Sequence, residues 1–211
     1  HADVGGIAPG SMTPRATDIN EEGVVIDNFK MVDRGTLREA ALHELLSSGP
    51  YPCRNPDQNI ADLKAQVAAN EKGVAEVAAM IDHFGLDVVQ AYMGHVQDNA
   101  EEAVRRVVAK LQDGEHLYEM DNGAVIAVSV RVDQRARSAT IDFTGTSDQL
   151  DSNFNAPRSV ASAAVLYVFR TLVDDDIPLN DGCLRPLTLV VPEGSMLAPT
   201  YPAAVVAGNV E

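Results

Sequence analysis

The chain has 211 residues and is 45% hydrophobic, so it can bury a sizeable core in one large domain or two small ones. Its formal net charge of -15 argues against nucleic acid or an anionic membrane surface as partner, because both demand basic patches, and leaves cations and basic protein surfaces open. No apolar run approaches the roughly 20 residues that span a bilayer, and no basic-then-apolar leader is present. Cys53 and Cys183 lie far apart and fit no C-x-x-C pattern, which points to reduced thiols in a soluble, cytoplasmic protein.

Residues 1 to 12, His-Ala-Asp-Val-Gly-Gly-Ile-Ala-Pro-Gly-Ser-Met, join two potential metal ligands to a loop with three glycines. His1 and Asp3 offer an imidazole and a carboxylate, a pair that suits Mn²⁺, Zn²⁺ or Fe²⁺ better than Ca²⁺, although two ligands do not define a site. Gly5, Gly6 and Gly10 permit positive φ and close backbone approach to a ligand. An ordinary turn explains the same glycines. Both ends of the chain read as cuts within a longer polypeptide: one opens inside this loop, and the other stops after an apolar run.

Residues 13 to 57 are punctuated by Gly and Pro, with short strands expected at Val24 to Ile26 and Phe29 to Val32. A helix is expected from Thr36 to Ser47, where Thr36 and Glu39 form the capping-box pattern. From Asn59 onward Ile60, Leu63, Val67, Val74, Val77 and Ile81 recur at three-, four- and seven-residue spacings, predicting a long helix that ends near Gly85. A second helix follows Asp87 and closes at Asp113-Gly114, and the short link predicts a helical hairpin. On it, His95, Asp98, Asn99 and Glu102 share one face. That stripe can face a metal or substrate, or simply solvent.

Between His116 and Gly145 the period becomes two: Ile126, Val128, Val130 and Val132, then Ala139, Ile141 and Phe143, predict a β-hairpin with one buried face. It delivers its second strand into Thr144-Gly145-Thr146-Ser147. Asn153-Phe154-Asn155-Ala156-Pro157 then precedes an apolar helix from about Ser159 to Leu172, with Asn155 as the candidate N-cap. Hydroxyls and amides before a helix start can hold a carboxylate or amide, and equally make a plain capped turn. Leu187 to Val191 and Ala203 to Ala207 read as strands. The run Asp174-Asp175-Asp176 lacks the spacing and Gly of a calcium loop. No P-loop, dinucleotide fingerprint or Gly-x-Ser-x-Gly elbow occurs. The fold class expected is α+β: a helical hairpin packed on mixed or antiparallel β structure, in three parts spanning 1–57, 58–114 and 115–211.

Taken together, several segments resemble the hydantoinase B and 5-oxoprolinase family. They are residues 1–12, Asp-Leu-Lys-Ala-Gln-Val-Ala-Ala-Asn at 62–70, Asp-Phe-Thr-Gly-Thr-Ser at 142–147, Asn-Phe-Asn-Ala-Pro at 153–157, Asp-Ile-Pro-Leu-Asn at 176–180 and Pro-Glu-Gly-Ser at 192–195. The runs at 85–95, 182–184 and 203–210 look like the ATP-dependent 5-oxoprolinase branch. The resemblance implies a larger, cytoplasmic enzyme, homo-oligomeric at full length, in which a hydantoinase A-like half binds ATP. The half that this chain resembles would contribute a site for a cyclic amide, with a divalent metal (Mg, Mn or Zn). Within it, Asp3, His95 and Asn155 are the catalytic candidates. Gly5, Gly6, Ser11, Thr146, Ser147 and Asn153 are the substrate-binding candidates, and His1 and Asp3 the metal ligands. Asp3 falls on the Asp of a His-x-x-Asp arrangement whose His would precede residue 1, and Ser152 stands where relatives often carry Gly. The loops at 1–12, 144–157 and 180–195 are expected to converge. Alternatives are an ATP-dependent hydantoinase, an acetone carboxylase-type subunit, or a non-catalytic half that docks the ATPase.

Overall fold

The computed structural model describes residues 2–13 and 15–210. The expectation of His1 as a metal ligand and of the Ser11 side chain at substrate lie outside the described residues. The chain forms two compact units, one of His1–Val77, Leu150–Ala156 and Thr200–Glu211, the other of Ala78–Gln149 and Pro157–Pro199. Helices and sheet coexist in the α+β class expected.

In the first unit, β1 (Val32–Asp33) and β2 (Thr36–Leu37) form a minimal antiparallel hairpin. The turn is Arg34-Gly35, both at positive φ (48° and 77°), the geometry that matches strand twist in a two-residue loop. This overturns two expectations. The strands expected at Val24 to Ile26 and Phe29 to Val32 reduce to Val32–Asp33. Thr36 is a strand residue, and α1 (Glu39–Leu46) starts after Arg38, with no side-chain cap. The tight turn claims Thr36 before it can cap. Leu42 and Leu46 of α1 are buried with Cys53 and with Ile60 at the start of α2 (Pro56–Phe84).

In the second unit, α3 (Leu86–Val108) follows Gly85, whose φ of 86° turns the chain between the two helices. The helix stops at Val108, before the expected Asp113-Gly114, because Asp113 accepts the N–H of Val132 (2.8 Å) and Gly114 opens a strand. That strand, β3 (Gly114–Glu119), is exposed throughout and shows no buried alternation from which to read it. With β4 (Val125–Asp133), β5 (Ser138–Asp142) and β6 (Leu187–Val190) it makes a four-stranded sheet in the order β3-β4-β5-β6. The first two pairings are antiparallel and the β5–β6 pairing is parallel, so the sheet is mixed. The expected β4–β5 hairpin is present, its turn held by Asp133, which accepts the N–H groups of Arg135 (2.9 Å) and Ala136 (2.8 Å).

The core of this unit lies between the sheet, α3 and α4 (Arg158–Thr171), where Val104, Val108, Ile141, Val165 and Phe169 are buried together. Each such side chain contributes about 1.5–3 kcal/mol of burial free energy. Expectation fails at the start of α4: Pro157 occupies the N-cap position without a side-chain bond, and the Asn155 amide is bound elsewhere. It fails again at the C-terminal end, where Ala203 forms only an isolated bridge to Asp18 and α5 (Val206–Val210) replaces the expected strand. Among the described residues no helix is long and apolar enough to cross a membrane.

The short helix Asp181–Cys183 lies against α3 with little tolerance. A Cβ on Gly182 would sit 2.1 Å from the Gln97 carbonyl oxygen. Gly182→Ala is therefore expected to destabilise by about 1–3 kcal/mol through overpacking. Gly73→Ala, in open space on α2, should stabilise by about 1 kcal/mol through helix propensity. Thermal unfolding of the two variants checks the opposite signs.

Candidate functional site

The Gly-rich loop is built around the Asp3 carboxylate. Oδ1 accepts the Gly5 N–H (3.0 Å) and a guanidinium N–H of Arg54 (2.9 Å), while Oδ2 reaches across seven residues to accept the Gly10 N–H (2.8 Å). The Arg54 fork closes the arrangement, Nη1 donating to the Gly5 carbonyl (3.1 Å) and Nη2 to the Gly6 carbonyl (2.5 Å). From below, the Asp3 carbonyl accepts the Asn59 amide (2.8 Å) and the Cys53 thiol (3.2 Å). The Gly10 N–H bond, opposed by desolvation and aided by Gly5 and Arg54, holds the Asp3 carboxyl below the usual carboxylate range.

The glycines are required by close approach. Gly5 and Gly6 have φ of 103° and 88°, and a Cβ would lie 2.1 Å from the Tyr51 carbonyl oxygen at Gly5 and 2.8 Å from that of Glu21 at Gly6. Those carbonyls hold the loop, accepting Gly6 N–H (Tyr51, 3.0 Å) and Ile7 N–H (Glu21, 2.8 Å). Substituting either glycine would collide with backbone as well as strain φ.

The loop is continued by a buried carboxylate and a buried amide. Glu22, 8% exposed, accepts the N–H groups of Val205 (3.0 Å) and Val206 (2.8 Å) at the start of α5. That cap turns the C-terminal segment into a helix rather than a strand. Burial pushes the Glu22 carboxyl up, against the pull of the two N–H donors. Asn155 is fully buried. It accepts the Leu150 N–H (2.7 Å) and donates to the carbonyls of Leu150 (3.0 Å), Ser152 (2.7 Å) and Ala204 (3.0 Å). The Asn153 side-chain amide donates to the Thr13 carbonyl, and the Asn153 backbone carbonyl accepts Ala207 and Gly208 N–H.

The remaining sequence-predicted residues belong to the second unit. Thr146 Oγ1 accepts Ala127 N–H and donates to Ala127 O, both at 3.1 Å, and Ser147 Oγ accepts Val125 N–H (2.8 Å). Both hydroxyls therefore bond the β4 backbone. His95 is exposed, its ring against the edge of Tyr92 at 5.8 Å between centroids. Of its stripe, Asp98 pairs with Arg185 (2.9 Å) and Glu102 with Arg137 (2.8 Å). The structure thus groups Asp3, Gly5, Gly6, Asn153 and Asn155 in one unit, and His95, Thr146 and Ser147 in the other.

Asp3 was legible from its motif, whereas Arg54, Asn59 and Glu22 were not, because each acts across dozens of residues. Among the described residues no group of three or more His, Cys, Asp or Glu side chains is arranged to hold a metal ion. An ion on Asp3 would compete with Gly10 N–H and Arg54 for the carboxylate oxygens. The described donors alone do not fit a metal.

Because the folded-state pKa of Asp3 is depressed, its bonds stabilise the fold above the unfolded value of about 3.9 and are lost as pH falls through the folded value. Asp3→Asn should lower the urea midpoint by a constant amount between about pH 5 and 8, and this difference from wild type should shrink below about pH 3.9. Urea titrations of both proteins across that range check it.

The sequence profile described as Hydantoinase B/oxoprolinase matches residues 1–211. A 5-oxoprolinase of Dictyostelium discoideum is 42% identical over 219 residues, covering 100% of this chain and 17% of that protein. Arabidopsis thaliana 5-oxoprolinase 1 is 42% identical over 234 residues, covering 100% of this chain and 18% of that protein. The chain thus spans less than a fifth of the length of these relatives. Among solved structures, the ATP-dependent caprolactamase of Pseudomonas jessenii superposes with a TM-score of 0.76 at 24% identity, over 96% of this chain and 36% of that one. Nucleotide-free acetone carboxylase gives 0.80 at 16% identity, over 98% and 29%. At these identities the two superpositions speak for a shared fold. With the profile matched from end to end, the chain belongs to the hydantoinase B/oxoprolinase family.

Proposed function

We propose that this chain forms the lactam-opening part of an ATP-dependent 5-oxoprolinase, which converts 5-oxo-L-proline to L-glutamate. ATP is bound and hydrolysed by a hydantoinase A-like half, and the assembled enzyme is a homo-oligomer. The observation that carries the reading is the 42% identity to 5-oxoprolinases over the whole of this chain. Within the first unit, Gly5, Gly6 and Asn153 are assigned to the substrate and Asn155 to their support.

The chemistry explains the need for ATP. An unstrained lactam is a poor electrophile. Attack of its carbonyl oxygen on the γ-phosphorus forms a C–O–P link and releases ADP, and water then adds to the activated ring carbon. The ring C–N bond breaks as nitrogen takes a proton, leaving an acyl phosphate that a second water hydrolyses to glutamate and phosphate. A divalent ion, when bound, would neutralise phosphate charge. The chain's own contribution is the loop around Asp3, held in one shape by its internal hydrogen bonds before the substrate arrives.

Phosphate release and glutamate formation by the assembled enzyme test this, with 5-oxo-L-proline, N-methylhydantoin and acetone in parallel. Turnover is expected with 5-oxo-L-proline. Preferential ring opening of N-methylhydantoin, or consumption of acetone, would replace the substrate. Asp3→Ala should lower turnover at least about 100-fold, the scale of a misplaced catalytic loop, and full activity in that variant would remove Asp3 from the site. A second expectation is that the 211-residue chain alone neither binds ATP at micromolar concentration nor hydrolyses it, since it lacks a phosphate loop and carries a charge of -15. Calorimetry on the purified chain checks that division of labour.

A further inference from the structure

Arg54 is absent from every motif that the sequence offers, yet its side chain bonds three groups of the Gly-rich loop. Its guanidinium bonds the Asp3 carboxylate (2.9 Å), the Gly5 carbonyl (3.1 Å) and the Gly6 carbonyl (2.5 Å). A lysine could not reproduce this: three acceptors in one planar fork require the fixed geometry of guanidinium, whereas an ammonium is a point charge. The acceptors are two left-handed glycines and the carboxylate that closes the loop from Gly5 to Gly10. Arg54 is placed to touch all three by the segment between α1 and α2, which is anchored in the apolar cluster through Cys53. Its neighbour Cys53 and nearby Asn59 both bond the Asp3 carbonyl, and the Cys53 N–H is fixed to the Leu46 carbonyl (2.9 Å) at the end of α1.

We propose that Arg54 is a positioning residue for the lactam site: it clamps Asp3 and the carbonyls of Gly5 and Gly6, and thereby sets the position and shape of the loop against which the reacting amide is held. This deepens the 5-oxoprolinase reading and, for its kinetic part, rests on it. The clamp acts on the loop rather than on substrate, so its removal lowers kcat more than it raises KM.

The pair to compare is Arg54→Lys and Arg54→Ala in the assembled enzyme, each checked for retained fold by circular dichroism. Arg54→Lys keeps the charge and loses the fork, and is expected to reduce kcat about 100-fold with KM changed far less, as for loop misplacement of the order of an ångström. Added guanidinium ion should restore part of the kcat of Arg54→Ala and none of that of wild type. Amide exchange at Gly5, Gly6 and Gly10 should accelerate in both variants, whatever substrate the enzyme takes. Unchanged exchange, or unchanged kcat in both variants, would overturn the clamp. A rise in KM for 5-oxo-L-proline with no effect on 2-pyrrolidone, which lacks the carboxylate, would also overturn it, since Arg54 would then read the substrate directly. Inactivity of the wild-type enzyme on 5-oxo-L-proline would remove the substrate reading alone, and amide exchange would still decide the clamp.

Discussion

A loop with three glycines at positive φ has no intrinsic reason to hold one shape, and in this protein the Asp3 carboxylate supplies that reason. Its two oxygens gather donors from Gly5, Gly10 and Arg54, so one side chain fixes both ends of the turn. The glycines in return let the loop lie within backbone distance of Tyr51 and Glu21. Charge and close approach are mutually dependent: any side chain at Gly5 or Gly6 would push the loop off the carbonyls that hold it. A carboxylate surrounded by N–H donors also stays ionised, which keeps the bonds charge-assisted.

The same logic extends through the first unit in buried polar groups, each with its partners in place. Glu22 holds the first N–H groups of α5, and Asn155 ties residues 150–152 to Ala204. No described buried side-chain nitrogen or oxygen lacks a hydrogen-bond partner. Buried polar groups are costly when unpaired and specific when paired, so the network selects one arrangement of these loops. The Asp3 loop, the 20–24 segment, the 150–156 segment and the C-terminal turn are joined by hydrogen bonds.

The second unit is held differently. There, two helices and a mixed sheet enclose an ordinary apolar core, and the charged stripe on α3 is largely engaged by arginines. Arg185 joins the segment after Asp181–Cys183 to Asp98 and Glu101, and Arg137 joins the β4–β5 turn to Glu102. An apolar groove of about 700 Å³ at the Gly85 corner, lined by Met80, Phe84, Val88, Tyr92 and Met93, carries no constellation of acids and bases.

What the sequence by itself determined is whatever repeats along the chain or sits within one turn. The period of 3.6 marked α2 and α3, the period of two marked β4 and β5, and the spacing of Gly5, Gly6 and Gly10 from Asp3 marked the loop. Local motifs also carried the family. What only the tertiary structure decided are the partners that arrive from far away. Arg54 reaches Asp3 across 51 residues and Glu22 reaches Val205 across 183, and no local pattern announces either. Local rules also failed at particular residues where the fold supplied another partner. Thr36 was drawn into a strand pair, Asn155 into a buried amide knot instead of a cap, and Ala203 to Ala207 into a helix start beneath Glu22. Thr36 took a backbone strand partner, whereas Asn155 and Glu22 are buried side chains that took complete sets of backbone partners, because a buried polar group is costly when left unpaired.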